Sequence, residues 1–194
     1  MTPSPHARLA RALHYAAGQH SRQRRKDADA SPYINHPIAL LHILTVEAGI
    51  TDEDVLVAAV LHDVMEDCSG PGQMHLALRR AEIRDQFGPA VLALVEAVTD
   101  DKTLPKADRK KAQVEHAARL PYGARLIKLA DKTANLRDLA SAPPANWSVE
   151  RLDQYYLWAA EVVAALRGTH ALLEMAFDRE FARQVDATAG ARVA

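Results

Sequence analysis

Seven consecutive apolar residues, Val55 to Leu61, run straight into His62, Asp63, Glu66 and Asp67. A helix that is apolar over such a run is buried, so the chain around it must supply the walls. Its C-terminal end then carries one histidine and three carboxylates within six residues. On a continuous helix over residues 53–67, His62 stacks over Glu66 and Asp63 over Asp67, each pair at i, i+4. Three like charges so close repel one another unless a cation sits among them. A His-Asp pair chelates a divalent metal, and two further carboxylates suit general acid and base work. By itself the cluster reads equally well as a solvated helix end.

The flanking chain supplies helices to surround it. Apolar stripes, or proline and glycine at the ends, predict helices over residues 4–20, from His36-Pro37 to Gly49, over 74–87, from Gly88-Pro89 to Val98, over 105–118, 121–140, 148–167 and from about 169 to 186. Aromatics make up only 5% of the chain, while alanine and leucine are abundant, which favours helix over strand. The expected fold is therefore all-α, a bundle of roughly eight to ten helices. It is expected to be one domain over residues 1–194, with its core at about 8–180 and a fraying tail from residue 188. Gly70-Pro71-Gly72 reads as a turn. The helix over 105–118, rich in Lys and Arg, reads as a largely solvated surface helix.

Composition excludes several classes of function. A formal net charge of -1 argues against a general nucleic-acid or membrane-surface binder. No apolar run approaches the ~20 residues that span a bilayer. Cys68 is the one cysteine and has no internal disulfide partner, which fits a reducing compartment and a cytoplasmic protein. Residues 1–26 lack acids and contain several arginines, as a transit peptide would. The stripe Leu9, Leu13, Ala16 and Ala17 instead makes them the first helix of the domain.

Four more features carry chemistry. Arg22, Arg24, Arg25 and Lys26 open a polar loop and read either as solvated charge or as an anion clamp. His36 stands at a loop-to-helix junction. Asp131, Asn135 and Asp138 form a polar stripe on a helix whose other face packs through Leu126, Leu129 and Leu136, and such a stripe needs partners if buried. Tyr155, Trp158 and Val162 share a face, with Arg151 one turn earlier. His36, His62, Asp63 and Asp131 together make a nitrogen–oxygen donor set suited to Mn²⁺, Fe²⁺ or Zn²⁺.

The pattern resembles the HD phosphohydrolase superfamily. More closely, Arg24 to Asp27, Pro32 to Pro37, Leu61-His62-Asp63 with Glu66-Asp67, Val98 to Pro105, and Lys128 to Lys132 with Asn135 to Asp138 resemble the hydrolase domain of the RelA/SpoT family. Its single-domain members, the metazoan SpoT homologues and small alarmone hydrolases, are the nearest in form. The resemblance runs from about residue 8 to 180. It implies an all-α fold and a Mn²⁺-dependent removal of the 3′-pyrophosphate of ppGpp and pppGpp. It implies His36, His62, Asp63 and Asp131 as metal ligands and Glu66 and Asp67 as catalytic carboxylates. Arg25, Lys26 and Asn135 match nucleotide- or phosphate-contacting positions, Arg151 and Tyr155 match substrate-binding positions, and Lys102 lies in a matching motif. The implied partner is a small-molecule nucleotide, with no nucleic acid and no membrane. Alternatives from the same resemblance are a phosphatase on another nucleotide, such as the 2′-phosphate of NADPH, and a non-catalytic alarmone sensor. The chain departs from the pattern at Cys68, where relatives commonly have Thr, at Ala134, often Tyr, and in a longer segment over residues 69–86.

Overall fold

The computed structural model describes residues 5–68 and 72–191. Its elements there are α1 (Pro5–Gln19), α2 (Asn35–His42), α3 (Glu53–Leu61), α4 (Val64–Cys68), α5 (Gln73–Phe87), α6 (Pro89–Val98), α7 (Lys106–Ala117), α8 (Tyr122–Ser141), α9 (Val149–Ala164) and α10 (Ala171–Ala191). The described residues form no strand; an isolated bridge pairs Arg24 with Pro32 in the loop between α1 and α2. No helix among them is long and apolar enough to cross a membrane.

The apolar run explains the arrangement. Every residue from Val55 to Leu61 is buried, and α3 is enclosed by α1, α2, α6 and α8. Asp52 starts α3 by accepting hydrogen bonds from the backbone amides of Asp54 (3.0 Å) and Val55 (3.3 Å), which satisfies donors that a helix start leaves open. The second central helix, α8, buries Leu126, Ile127, Leu129 and Leu136 against the same core. It also buries Asp131, Lys132 and Thr133, so its polar stripe is an interior feature. α10 closes the back of α8, where the buried Glu180 accepts from Arg137 (3.1 Å) and Arg183 (2.9 Å).

Four expectations change. The helix over 53–67 is broken: α3 ends at Leu61 and α4 restarts at Val64. The His62 Nδ1–H donates to the Ala59 carbonyl at 2.8 Å, claiming the acceptor that the Asp63 amide would use in an unbroken helix. Beyond α2 the chain widens into a π-helical turn, Ile43–Glu47, where Thr45 bonds back to the Leu41 carbonyl (2.7 Å); Gly49, at φ +69°, then stops it. α9 ends at Ala164 instead of residue 167, and α10 continues to Ala191, past the expected frayed tail from residue 188. Of the expected turn at 70–72, residues 70 and 71 lie outside the described residues, as do 192–194 of the tail.

Leu61 is fully buried directly before the His-Asp doublet. Leu61→Ala is expected to lower unfolding stability by about 2–5 kcal/mol, read by urea denaturation; a loss below about 1 kcal/mol would mean that the core there collapses to fill the gap.

Candidate active site

Three elements deliver the site. α2 begins with Asn35, and His36 and Pro37 follow inside its first turn; Pro37 sits where a missing N–H does no harm. This fixes His36, which is 3% exposed. The α3–α4 break turns His62 and Asp63 inward, and α8 brings Asp131 up from the opposite side. The His36 Nε2 lies 3.2 Å from Asp131 Oδ1 and 3.9 Å from Asp63 Oδ2. The His62 Nε2 lies 2.8 Å from Asp63 Oδ2. Ligand atoms of His36, His62 and Asp131 all fall within 4.8 Å of one another. Asp63 stands beside this trio, its Oδ2 accepting from the Tyr33 hydroxyl at 2.6 Å.

The residues fit a divalent ion. The His62 Nδ1–H is spent on a backbone carbonyl, so in the neutral ring Nε2 carries the lone pair, and that buried nitrogen makes no hydrogen bond despite its contact with Asp63. The His36 Nδ1 is likewise buried without a bond and faces Asp138 Oδ2 at 3.8 Å, a carboxylate able to orient a ligating imidazole. Metal–ligand bonds of about 2.0–2.2 Å place two donors on one ion no more than about 4.4 Å apart, close to the observed spacing. Asp131 accepts hydrogen bonds from Asn135 Nδ2 (2.7 Å) and Lys132 Nζ (3.0 Å).

Electrostatics point the same way. In the metal-free protein burial opposes a charge on His62, yet Asp63 and Asp131 outweigh it and raise its pKa to about 9. Burial also opposes charge on Asp63 and Asp131, but the imidazoles, and Lys132 beside Asp131, hold both well below the ordinary carboxylate range. A proton on His62 thus supplies positive charge among these carboxylates. Glu66 goes the other way: burial, then Asp100 and Asp63, push it up to about 7. Asp67 accepts from Lys102 and from Gln23 Nε2 (2.8 Å).

A cleft of about 1180 Å³ opens over this floor, lined by His36, Glu66 and Asp67 among others. Arg25, Lys26, Asn135, Arg151 and Tyr155 all line it. Arg25 pairs with Asp138 and lies 5.5 Å from the Tyr33 ring centre. Arg24 also reaches the cleft, whereas Arg22 is exposed and does not line it. Lys102 is not in the lining; its ammonium is engaged by Asp67 and stands 3.8 Å from Glu66 Oε1. Tyr155 is half-buried between Trp147 and Trp158 on the cleft wall. The core tyrosine of α9 is its neighbour Tyr156, whose hydroxyl donates to the Leu136 carbonyl at 3.1 Å. Ala134 is buried in the core, and the half-buried Cys68 Sγ lies 3.4 Å from His20 Nδ1.

Sequence reasoning gave no role to Tyr33 or Lys132, although both stand inside the quoted motifs. It placed Asp138 on the polar stripe without a task. It also read the helix over 105–118 as mere solvated surface, whereas Lys106, Arg109 and Lys110 of α7 line the cleft.

The comparisons with known proteins decide the family. The HD-domain family model matches residues 12–160. The chain belongs to the HD-domain family. It is 49% identical over 181 residues to the guanosine-3′,5′-bis(diphosphate) 3′-pyrophosphohydrolase of Drosophila melanogaster, covering 93% of this chain and 97% of the relative. It is 50% identical over 175 residues to the human protein of the same name, covering 90% and 93%. A solved structure of a metazoan ortholog of SpoT that hydrolyzes ppGpp superposes with a TM-score of 0.85 at 48% identity, over 95% of this chain and 98% of that one. Within the HD-domain family this chain therefore groups with the small SpoT homologues.

A divalent ion held by His62 would displace its proton. Because pH 6 to 8 lies below the raised pKa of about 9, the apparent affinity for a divalent ion at this trio is expected to fall about tenfold for each unit of pH lowered across that range, by calorimetry. A flat profile would show that no such proton is displaced. Asp131→Asn should abolish tight binding at every pH.

Proposed function

We propose that this HD-domain protein hydrolyses guanosine 3′,5′-bis(diphosphate), ppGpp, and the pentaphosphate pppGpp, releasing GDP or GTP and pyrophosphate. Near full-length identity to relatives named for that activity supports the substrate. The observation that carries the chemistry is a metal-competent His/Asp trio whose His36 lines the same cleft as Glu66, an acid raised to about 7.

We assign His36, His62, Asp63 and Asp131 to hold one divalent ion, taken here as Mn²⁺ from the mixed nitrogen–oxygen donors. When bound, such an ion supplies a Lewis acid that acidifies water and draws charge from a phosphoryl group. The reaction forms one bond from a water oxygen to the phosphorus on the ribose 3′ oxygen and breaks the bond from that phosphorus to O3′. Glu66 takes the water proton, since a carboxyl with a pKa near 7 both accepts and returns a proton at neutral pH. The departing 3′ oxygen leaves as a hydroxyl once protonated. Asp67, anchored by Lys102 and Gln23, orients the water beside Glu66. Arg25 and Lys26 offset the charge of the 3′-diphosphate, the electrostatic share of the rate. Asn135 steadies Asp131, and Arg151 and Tyr155, on the wall with Trp147, hold the nucleoside. We take residues 1–194 as one hydrolase domain, with its core at about 8–180, working in the cytoplasm.

Product analysis tests this. With Mn²⁺, the purified protein is expected to convert ppGpp to GDP and pyrophosphate, and Glu66→Gln to lower kcat by about 10²–10⁴ with little change in KM. Phosphate release from NADPH with ppGpp left untouched would move the protein to a different nucleotide. Recovery of bound, intact ppGpp would make it a sensor.

A further inference from the structure

Asp67 needs both of its oxygens held if it is to orient a water. Lys102 takes Oδ1, and Gln23 Nε2 donates to Oδ2 at 2.8 Å. Lys102 is an exposed, flexible point charge, so it attracts the carboxylate without setting its plane. Gln23 sets the plane, and Gln23 is itself a long, half-buried side chain that must be ordered.

A buried histidine outside the proposed site orders it. His20 directly follows α1. Its amide bonds the Ala16 carbonyl (2.9 Å), and its own carbonyl accepts the Gln23 amide (2.9 Å). Across that turn His20 Nδ1 lies 2.6 Å from Gln23 Oε1. The imidazole is 2% exposed, and its ring packs on that of Tyr33, with centroids 4.8 Å apart.

Donors and acceptors run one way along this chain. An ionised carboxylate only accepts, so Gln23 turns its NH₂ to Asp67 and its carbonyl oxygen to His20. That oxygen also only accepts, so His20 Nδ1 carries a proton. Burial holds the imidazole pKa below its ordinary value, which favours the neutral ring. Its lone pair then lies on Nε2, a buried nitrogen without a hydrogen bond. Cys68 Sγ, 3.4 Å from Nδ1, is a weaker acceptor for the same proton. In the other tautomer two lone pairs, on Nδ1 and on Gln23 Oε1, face each other at 2.6 Å, and the amide loses its hold.

We propose that His20, as its neutral Nδ1–H tautomer, is a positioning residue for the hydrolysis: it fixes the Gln23 amide, and through it the plane of the Asp67 carboxylate beside Glu66. This rests on the reading above that Asp67 orients the attacking water.

Two substitutions separate this role from packing. His20→Asn keeps a side-chain N–H near the place of Nδ1 and loses the ring. His20→Phe keeps a ring against Tyr33 and loses the donor. At saturating Mn²⁺ and below both melting temperatures, His20→Phe is expected to lower kcat for ppGpp about tenfold, with KM and Mn²⁺ affinity within about twofold of wild type. His20→Asn is expected to keep most of kcat. Equal kcat in the two variants, or a slower Asn variant, makes His20 a packing residue and overturns the proposal. Nitrogen-15 spectra of the protein loaded with diamagnetic Zn²⁺ read the tautomer without turnover, the His20 signals being identified by their loss in His20→Phe. The expected spectrum has the proton on Nδ1 and the lone pair on Nε2. A proton on Nε2 alone overturns the proposal whatever the variants do. Should the wild type leave ppGpp intact, the hydrolase reading fails and the positioning role falls with it, while the same spectra still decide the His20–Gln23 bond.

Discussion

Desolvated charge inside the bundle is the constraint on which the rest of this structure depends. His36, His62, Asp63 and Asp131 meet where α2, the α3–α4 break and α8 converge, and three of the four are under a tenth exposed. Closing carboxylates in such a place is unfavourable unless positive charge is closed in with them. Lys132 supplies part of it at 3.0 Å from Asp131, and a proton on His62 supplies more. The remainder matches a divalent cation, toward which two buried imidazoles and a carboxylate already face. The apolar run of α3 makes this possible, because an element enclosed by four helices presents its end residues in one orientation.

Around that floor the cleft is graded. Glu66 and Asp67 stand beside the donors, and Lys102 and Gln23 grip only Asp67 closely. The two carboxylates, adjacent in the chain, therefore meet different surroundings, and environment is what separates the tasks of paired carboxyls. Farther along the wall the polarity reverses to the lysines and arginines of α7 and α9. The cleft is thus acidic at one end and basic at the other.

Much of this was legible in the sequence because it rests on local rules. The alternation of apolar stripes with prolines and glycines located the helices, and His36, His62, Asp63 and Asp131 belong to motifs that resemble a known family. What escaped depends on through-space partners. Nothing in the local pattern distinguishes Tyr155 from Tyr156; only the packing of α9 sends one to the cleft and the other to the core. The break after Leu61 arises from a side chain competing for a backbone carbonyl, which helical periodicity does not encode. α7 looked like solvent-facing surface since a charged face reads alike whether water or a ligand covers it. The spacing of Lys106, Arg109 and Lys110 was the available signal, and it acquires meaning only beside Arg151 and Lys26.

The most direct test of the central claim is a titration of Mn²⁺ into chelator-stripped protein, with bound ion counted by electron paramagnetic resonance and ppGpp hydrolysis followed in the same samples. The account predicts that activity rises in proportion to occupancy and saturates at one ion per chain. Full turnover in the stripped protein, or stoichiometric binding that brings no hydrolysis, would contradict it.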